Sequence, residues 1–185
     1  IVPIILSKDK NKVLSKAKML QKSLSSFDPI LDDREDKRPG EKFSYYEMTG
    51  VPLRIEIGPK ELAKNHVVVV RRDNFEKKNV KIKDLNKFIE KSLVKMHKDM
   101  LLKAKKKLDD NIVTVSNINE LTNAINNRKV ARARFCCNSS CENLLKGKIQ
   151  GVRTVNISFD QPKVSGKCFL CSKDAINEVL FGKNY

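Results

Sequence analysis

Four of the five cysteines in this chain fall into two short-spaced pairs, Cys136-x4-Cys141 and Cys168-x2-Cys171, separated by 26 residues, with Cys137 left over. Two such pairs let each of two tight loops present two thiolates to one ion, and four thiolates in a tetrahedron suit zinc. A site closed by four protein sulfurs keeps no position for water, so it would build a fold and hydrolyse nothing. The same ligands could hold an iron–sulfur centre. Cys137-x3-Cys141 is also a chelating spacing, and buried thiols or disulfides are the remaining reading. Disulfides fit less well, because an oxidised secreted domain carries a leader, and the opening IVPIIL is too short and wrongly flanked for a leader or a membrane span. The preferred reading is a structural zinc site on Cys136, Cys141, Cys168 and Cys171 in a cytoplasmic chain.

Other reactive chemistry is sparse. His66 and His97 sit in ordinary strand and helix contexts with no nucleophile motif beside them. The 7 glycines are spread singly, without a phosphate-cradling spacing. The chain nevertheless carries a formal net charge of +16, of which +10 falls in residues 1–110 and +6 in 111–185. Self-repulsion of that size points to a polyanionic partner, and nucleic acid fits better than a membrane surface, since no basic amphipathic segment carries aromatic anchors. A genome biased towards Lys and Asn codons would raise the charge as well.

Hydrophobic periodicity supplies the elements that must position these groups. IVPIIL reads as a strand, and the chain from Ile1 reads as a cut from something larger. Val13, Leu14, Ala17, Leu20 and Leu24 recur at helical spacing. FDPILDD reads as a second short strand, EKFSYYEMTG as a short helix closed by Gly50, and VPLRIEIG as a half-exposed strand with Leu53, Ile55 and Ile57 inward. PKELAKN makes one turn of helix after Pro59, and HVVVVRRD is a strand buried on both faces. A long helix follows, with Leu85, Phe88, Ile89, Leu93, Met96 and Met100 on one side and Lys87, Lys91, Lys95 and Lys98 on the other. The pattern predicts an α/β layer fold, a mixed β-sheet flanked by helices, over residues 1–110. Residues 111–185 read as a small α+β zinc-binding domain: a helix from Asn117 to Asn126, the strand VARARF, the first cysteine loop with a small helix after it, the strand GVRTVNISF, the second loop, and a closing EVLFGKNY.

Lysine surfaces attract phosphates, whereas reading a base requires groups of fixed geometry. The stretch from Asp32 to Glu56 supplies them: arginine suits the O6/N7 edge of guanine and carboxylate its N1 and N2 donors, with Phe43, Tyr45 or Tyr46 as stacking surfaces for unpaired bases. The alternative for each is a solvated ion pair.

The run DDREDKRPGEKFSYYEMTGVPLRIEIGPKELAKNHVVVVRRD, from Asp32 to Asp73, resembles the anticodon-binding domain of prolyl-tRNA synthetases of the archaeal and eukaryotic-like type. The resemblance continues to the end of the chain, through Phe135 to Glu142 and Gly166 to Cys171, to the terminal Tyr185. One departure is Thr154, where relatives often carry cysteine. The resemblance implies the class II anticodon-binding fold followed by a zinc-binding C-terminal domain, with Cys136 rather than Cys137 as ligand. It implies recognition of proline tRNA, whose anticodon contains two adjacent guanines; this matches the arginine and carboxylate chemistry above, and Arg34, Lys42, Arg54 and Glu56 are the expected RNA-binding residues. The parent enzyme it implies is a homodimer that activates proline with ATP and magnesium and charges tRNA(Pro). The catalytic domain is missing from this chain, so it is expected to be inactive alone. A free-standing zinc-containing RNA-binding adaptor is the alternative. Tyr185 is expected to matter only in the full enzyme.

Overall fold

A computed structural model describes residues 1–5, 9–161 and 163–184. Leu6 at the end of the expected first strand, and Tyr185, lie outside the described residues. The chain divides into two compact units, Ile1–Leu102 and Lys103–Tyr185.

The first unit is a four-stranded mixed sheet with helices. Strand β1 (Val2–Pro3) is followed by helices α1 (Lys10–Ser23) and α2 (Pro39–Met48), strand β2 (Leu53–Ile57), helix α3 (Pro59–Ala63), strands β3 (His66–Arg71) and β4 (Lys77–Lys81), and helix α4 (Leu85–Asp109). The sheet order is β1-β2-β3-β4, with β1 parallel to β2 and the other pairs antiparallel. Val13, Ala17, Leu20 and Leu24 of the first helical segment meet Ile55, Ile57, Val67, Val69, Leu85 and Ile89 in one core. Burying each large aliphatic side chain there contributes about 1.5–3 kcal/mol. Helices α2 and α3 begin in the same way: proline at the first helical position and a glutamate two residues on, Glu41 or Glu61, accepting the backbone N–H of Arg38 (2.8 Å) or Gly58 (3.1 Å).

Three expectations require correction here. FDPILDD is not a strand: it runs as irregular chain past β1, tied to it by the Asp32 N–H donating to the Ile1 carbonyl at 3.0 Å. Strand β2 is not half exposed, because Arg54 and Glu56 are buried under side chains from α2. Met100 is 51% exposed, and the buried stripe of α4 (Leu85, Ile89, Ser92, Met96) ends one turn earlier. Strand β4 went unpredicted because KKNVK buries only Val80, leaving no apolar alternation to see.

The second unit contains strand β5 (Ile112–Thr114), helix α5 (Ile118–Asn126), strand β6 (Val130–Phe135), helix α6 (Ser139–Lys148), and strands β7 (Val152–Ile157) and β8 (Asn177–Lys183). Its sheet order is β5-β6-β8-β7, parallel between β5 and β6 and otherwise antiparallel. Helix α5 starts at Asn117, whose side-chain oxygen accepts the Glu120 N–H at 2.9 Å. Ala131, Ala133 and Phe135 point inward against Leu121, Ile125, Leu145 and Phe181, while Arg132 and Arg134 point out. Only three residues long, β5 was too short to show a period. The ladder between β7 and β8 slips between Thr154 and Asn156, a bulge that leaves Val155 62% exposed. Among the described residues, no helix is long and apolar enough to cross a membrane.

Candidate nucleic-acid interface and metal centre

The four residues expected to touch RNA form two internal networks in the first unit. In the segment before α2, the Arg34 guanidinium donates two hydrogen bonds to the Asp32 carboxylate, Nε to Oδ1 at 2.9 Å and Nη2 to Oδ2 at 2.7 Å. Asp32 and Arg34 lie two residues apart, so an extended backbone sends both side chains to one side. Lys42 reaches in from α2: its Nζ donates to the Asp32 carbonyl at 3.1 Å, approaches the Asp32 Oδ1 at 3.5 Å, and is also bonded to the Arg34 carbonyl. The Asp32 and Lys42 side chains are 1% and 3% exposed, whereas that of Arg34 is 49% exposed. The Arg34 hydrogen bonds hold the Asp32 carboxyl well below the usual carboxylate range, against the opposing effect of burial, and Lys42 adds to the pull.

The second network is on β2. Arg54 donates from Nε to Glu56 at 2.9 Å and from Nη1 to Glu47 of α2, and its guanidinium lies 3.9 Å from the centre of the Phe43 ring. A stacked, doubly paired guanidinium is a rigid group, and here it fastens α2 to the sheet. Of the four candidates, Arg34 alone is exposed; Lys42, Arg54 and Glu56 are buried and already partnered. Tyr45 is 49% exposed on the outer side of α2, with the Arg34 guanidinium 5.8 Å from its ring centre and Tyr46 packed edge-on at 5.2 Å. Sequence reasoning passed over Asp32 and Glu47, the acids that organise the arginines. The two-residue spacing of Asp32 and Arg34 was the available signal for the first. His66 packs its ring against the Lys64 carbonyl, and His97 is exposed on α4.

In the second unit, the Sγ atoms of Cys136, Cys141, Cys168 and Cys171 all lie within 4.8 Å of one another, with Cys136 and Cys171 3.6 Å apart. All five cysteines are free thiols. A tetrahedron of sulfurs at about 2.3 Å from an ion has edges of about 3.8 Å, so these four fit a metal ion. Cys136 leaves the buried end of β6 and Cys141 sits in the first turn of α6. Cys168 and Cys171 occupy a tight loop, closed by the Cys168 N–H on the Lys173 carbonyl (2.7 Å) and the Ser172 N–H on the Cys168 carbonyl (3.1 Å). Gly166 opens that loop at φ 109°, where a Cβ would lie 2.8 Å from the Arg134 guanidinium. Phe169 carries the loop onto the core, its ring centre 6.0 Å from that of Phe135 and 5.6 Å from that of Phe181. Cys137 turns away at φ 54°, its sulfur 3.4 Å from the Asn177 amide nitrogen. Burial pushes the Cys136 thiol up and, with the neighbouring thiols, pushes Cys141 up to about 12, while the Lys173 N–H draws Cys171 down to about 7. Four sulfurs this close and this dry can hold a cation.

Comparison with known proteins finds a family model for each of the two units. Residues 1–92 match the family model for the anticodon binding domain, and residues 118–185 that for the prolyl-tRNA synthetase C-terminal domain. The chain is 38% identical over 186 residues to the proline–tRNA ligase of Clostridium botulinum (strain ATCC 19397 / Type A), covering 100% of this chain and 38% of that protein. It is 39% identical to the proline–tRNA ligase of Ruminiclostridium cellulolyticum, covering 100% of this chain and 39% of that protein. The chain therefore spans about two-fifths of the length of these curated relatives. With two family models matched in order, and with relatives aligned along its whole length, the chain carries an anticodon-binding domain over residues 1–92 and a prolyl-tRNA synthetase C-terminal domain over residues 118–185.

Proposed function

We propose that the chain binds proline tRNA and reads its anticodon guanines through residues 1–110, serving a proline–tRNA ligase whose remaining part activates proline with ATP and magnesium as a cytoplasmic homodimer. The observation that carries this reading is an exposed arginine held in a fixed orientation beside an exposed tyrosine, on a domain that matches an anticodon-binding family. With Nε and one Nη2 proton of Arg34 committed to Asp32, the Nη1 protons and the second Nη2 proton remain to meet the O6/N7 edge of a guanine. Tyr45 offers the face on which an unstacked base can lie. Lys42, Arg54 and Glu56 support binding from beneath: they fix the loop and α2 before RNA arrives, which reduces the ordering cost of association.

Residues 111–185 form the zinc-binding C-terminal domain, in which Cys136, Cys141, Cys168 and Cys171 would hold the ion. Zinc bound there supplies structure and no reaction step, since four thiolates fill its coordination.

Binding of a proline tRNA transcript, compared with one whose anticodon guanines are replaced, tests the reading. The unmodified transcript is expected to bind more tightly, and Arg34→Ala to lose roughly 10- to 100-fold of the discrimination at one guanine. Equal binding of the two transcripts by the unaltered protein overturns the assignment. Tyr45→Ala is expected to weaken both transcripts by about 1–3 kcal/mol, the usual worth of one base stacked on an aromatic ring. A Tyr45→Ala protein that binds like the parent removes the stacking role.

A further inference from the structure

Helix α4 carries an aligned row of exposed lysines, away from the Arg34 loop. Lys87, Lys91 and Lys98 are exposed, and at about 100° per residue they fall within an arc of about 40° on the helix surface. Lys95 lies off that arc and is occupied by Asp99, 3.0 Å away, whereas Lys87, Lys91 and Lys98 have no ion-pair partner among the described residues. Glu90 lies outside the arc on one side and Asp99 on the other. The lysines of α1 contrast with this arrangement. Lys12, Lys18 and Lys22 are also exposed, but the same helical rotation spreads them over about a third of the circumference, three times the arc of the α4 row.

We infer that this lysine stripe docks the phosphate backbone of the bound tRNA, outside the anticodon bases. The inference rests on the tRNA-binding reading above. The three residues are spaced along the helix axis by about 6 Å and about 10.5 Å, and their flexible stems let the three ammonium groups meet separate phosphates of one strand. Lysines that neutralise phosphates release the cations condensed on the RNA backbone, so each such contact steepens the salt dependence of binding. The apolar residues beside the row, Val94 at 53% and Leu101 at 60% exposure, include no aromatic anchor, which disfavours a bilayer as the occupant.

The test is a triple variant, Lys87→Ala, Lys91→Ala and Lys98→Ala, titrated with the proline tRNA transcript and the anticodon-substituted one at 50 and 200 mM salt. Both transcripts are expected to weaken by the same factor, and the affinity ratio between the two salt concentrations to shrink by roughly 30-fold, as three lost phosphate contacts require. The corresponding arginine triple variant restores binding, because charge rather than lysine chemistry is what docks. A Lys12→Ala, Lys18→Ala, Lys22→Ala protein removes the same charge from α1 and keeps nearly the parental salt dependence. The inference is overturned if the α1 variant loses as much as the α4 variant, since net charge would then suffice. It is also overturned if the α4 variant binds RNA as the parent does, including the case where only its binding to phosphatidylserine vesicles falls. Equal affinity of the parent for both transcripts strikes the anticodon reading alone and leaves the stripe intact.

Discussion

A Cys168→Ser protein is expected to lose its metal ion and the cooperative folding of its second unit together. The loop carrying Cys168 and Cys171 is placed by three things: its own short hydrogen bonds, Phe169 in the aromatic cluster, and the approach of two sulfurs to Cys136 and Cys141. Among the described residues from 158 to 176 there is no strand or helix to resist displacement. Structural zinc contributes roughly 10–16 kcal/mol of binding free energy in small domains, comparable with the about 5–15 kcal/mol stability of a whole domain. Loss of one ligand therefore removes more than the unit can spare, and the vacated thiols are left crowded and desolvated. Elemental analysis should find one zinc per parent chain and none in the variant. Limited proteolysis should open residues 103–185 while Ile1–Leu102 survives. Cys137→Ser, whose sulfur stands outside the cluster, should keep the metal. A parent protein without zinc, or a Cys137→Ser protein that loses it, would reject the ligand set.

Asp32→Asn is the second large effect. The substitution keeps the shape of the side chain but strips the charge that compensates the Lys42 ammonium, 3.5 Å away and 3% exposed. Breaking a buried pair from one side costs about 3–5 kcal/mol, because the remaining charge has no water to return to. Replacing Lys42 by methionine in the same chain should recover part of that loss, since no buried charge is then left stranded. The pH dependence has a definite sign. Asp32 has a folded-state pKa below its unfolded value of about 4, so its contribution is complete above that value and declines as the pH falls below it. The parent should therefore lose stability steeply in denaturant titrations as the pH falls below about 4, and Asp32→Asn should show a flatter profile over that range. Matching acid profiles would mean that Asp32 is not stabilised as its geometry implies. In RNA binding, the variant should lose discrimination along with Arg34→Ala, since the guanidinium no longer has its anchor.

Much of the architecture was legible because its signals are local. The helical stripe from Val13 to Leu24, the valine run of β3 and the Pro59 start of α3 each declare themselves within a few residues. The cysteine pairs were equally plain, since two short spacings leave few other uses. Strands β4 and β5 were silent: one buries a single valine, and the other is three residues long. The charged positions of β2 misled for a different reason. Alternation reports that Arg54 and Glu56 face away from the core side, but the arrival of Phe43 and Glu47 over that opposite face is a long-range event with no trace in the period. For the same reason, the sequence could name Lys42 as basic but not as buried. Its partners are two backbone carbonyls eight and ten residues away, which no pattern of side chains encodes.

The slip at Val155 bears on how these molecules keep apart at high concentration. Strand β7 is the last in its sheet, so one side of its backbone has no neighbour to satisfy it, an invitation for another copy to add on and start a fibre. An extra residue breaks the even spacing of donors and acceptors along that border, so an incoming ribbon cannot stay in register. The misaligned residue thereby blunts that border against strand addition.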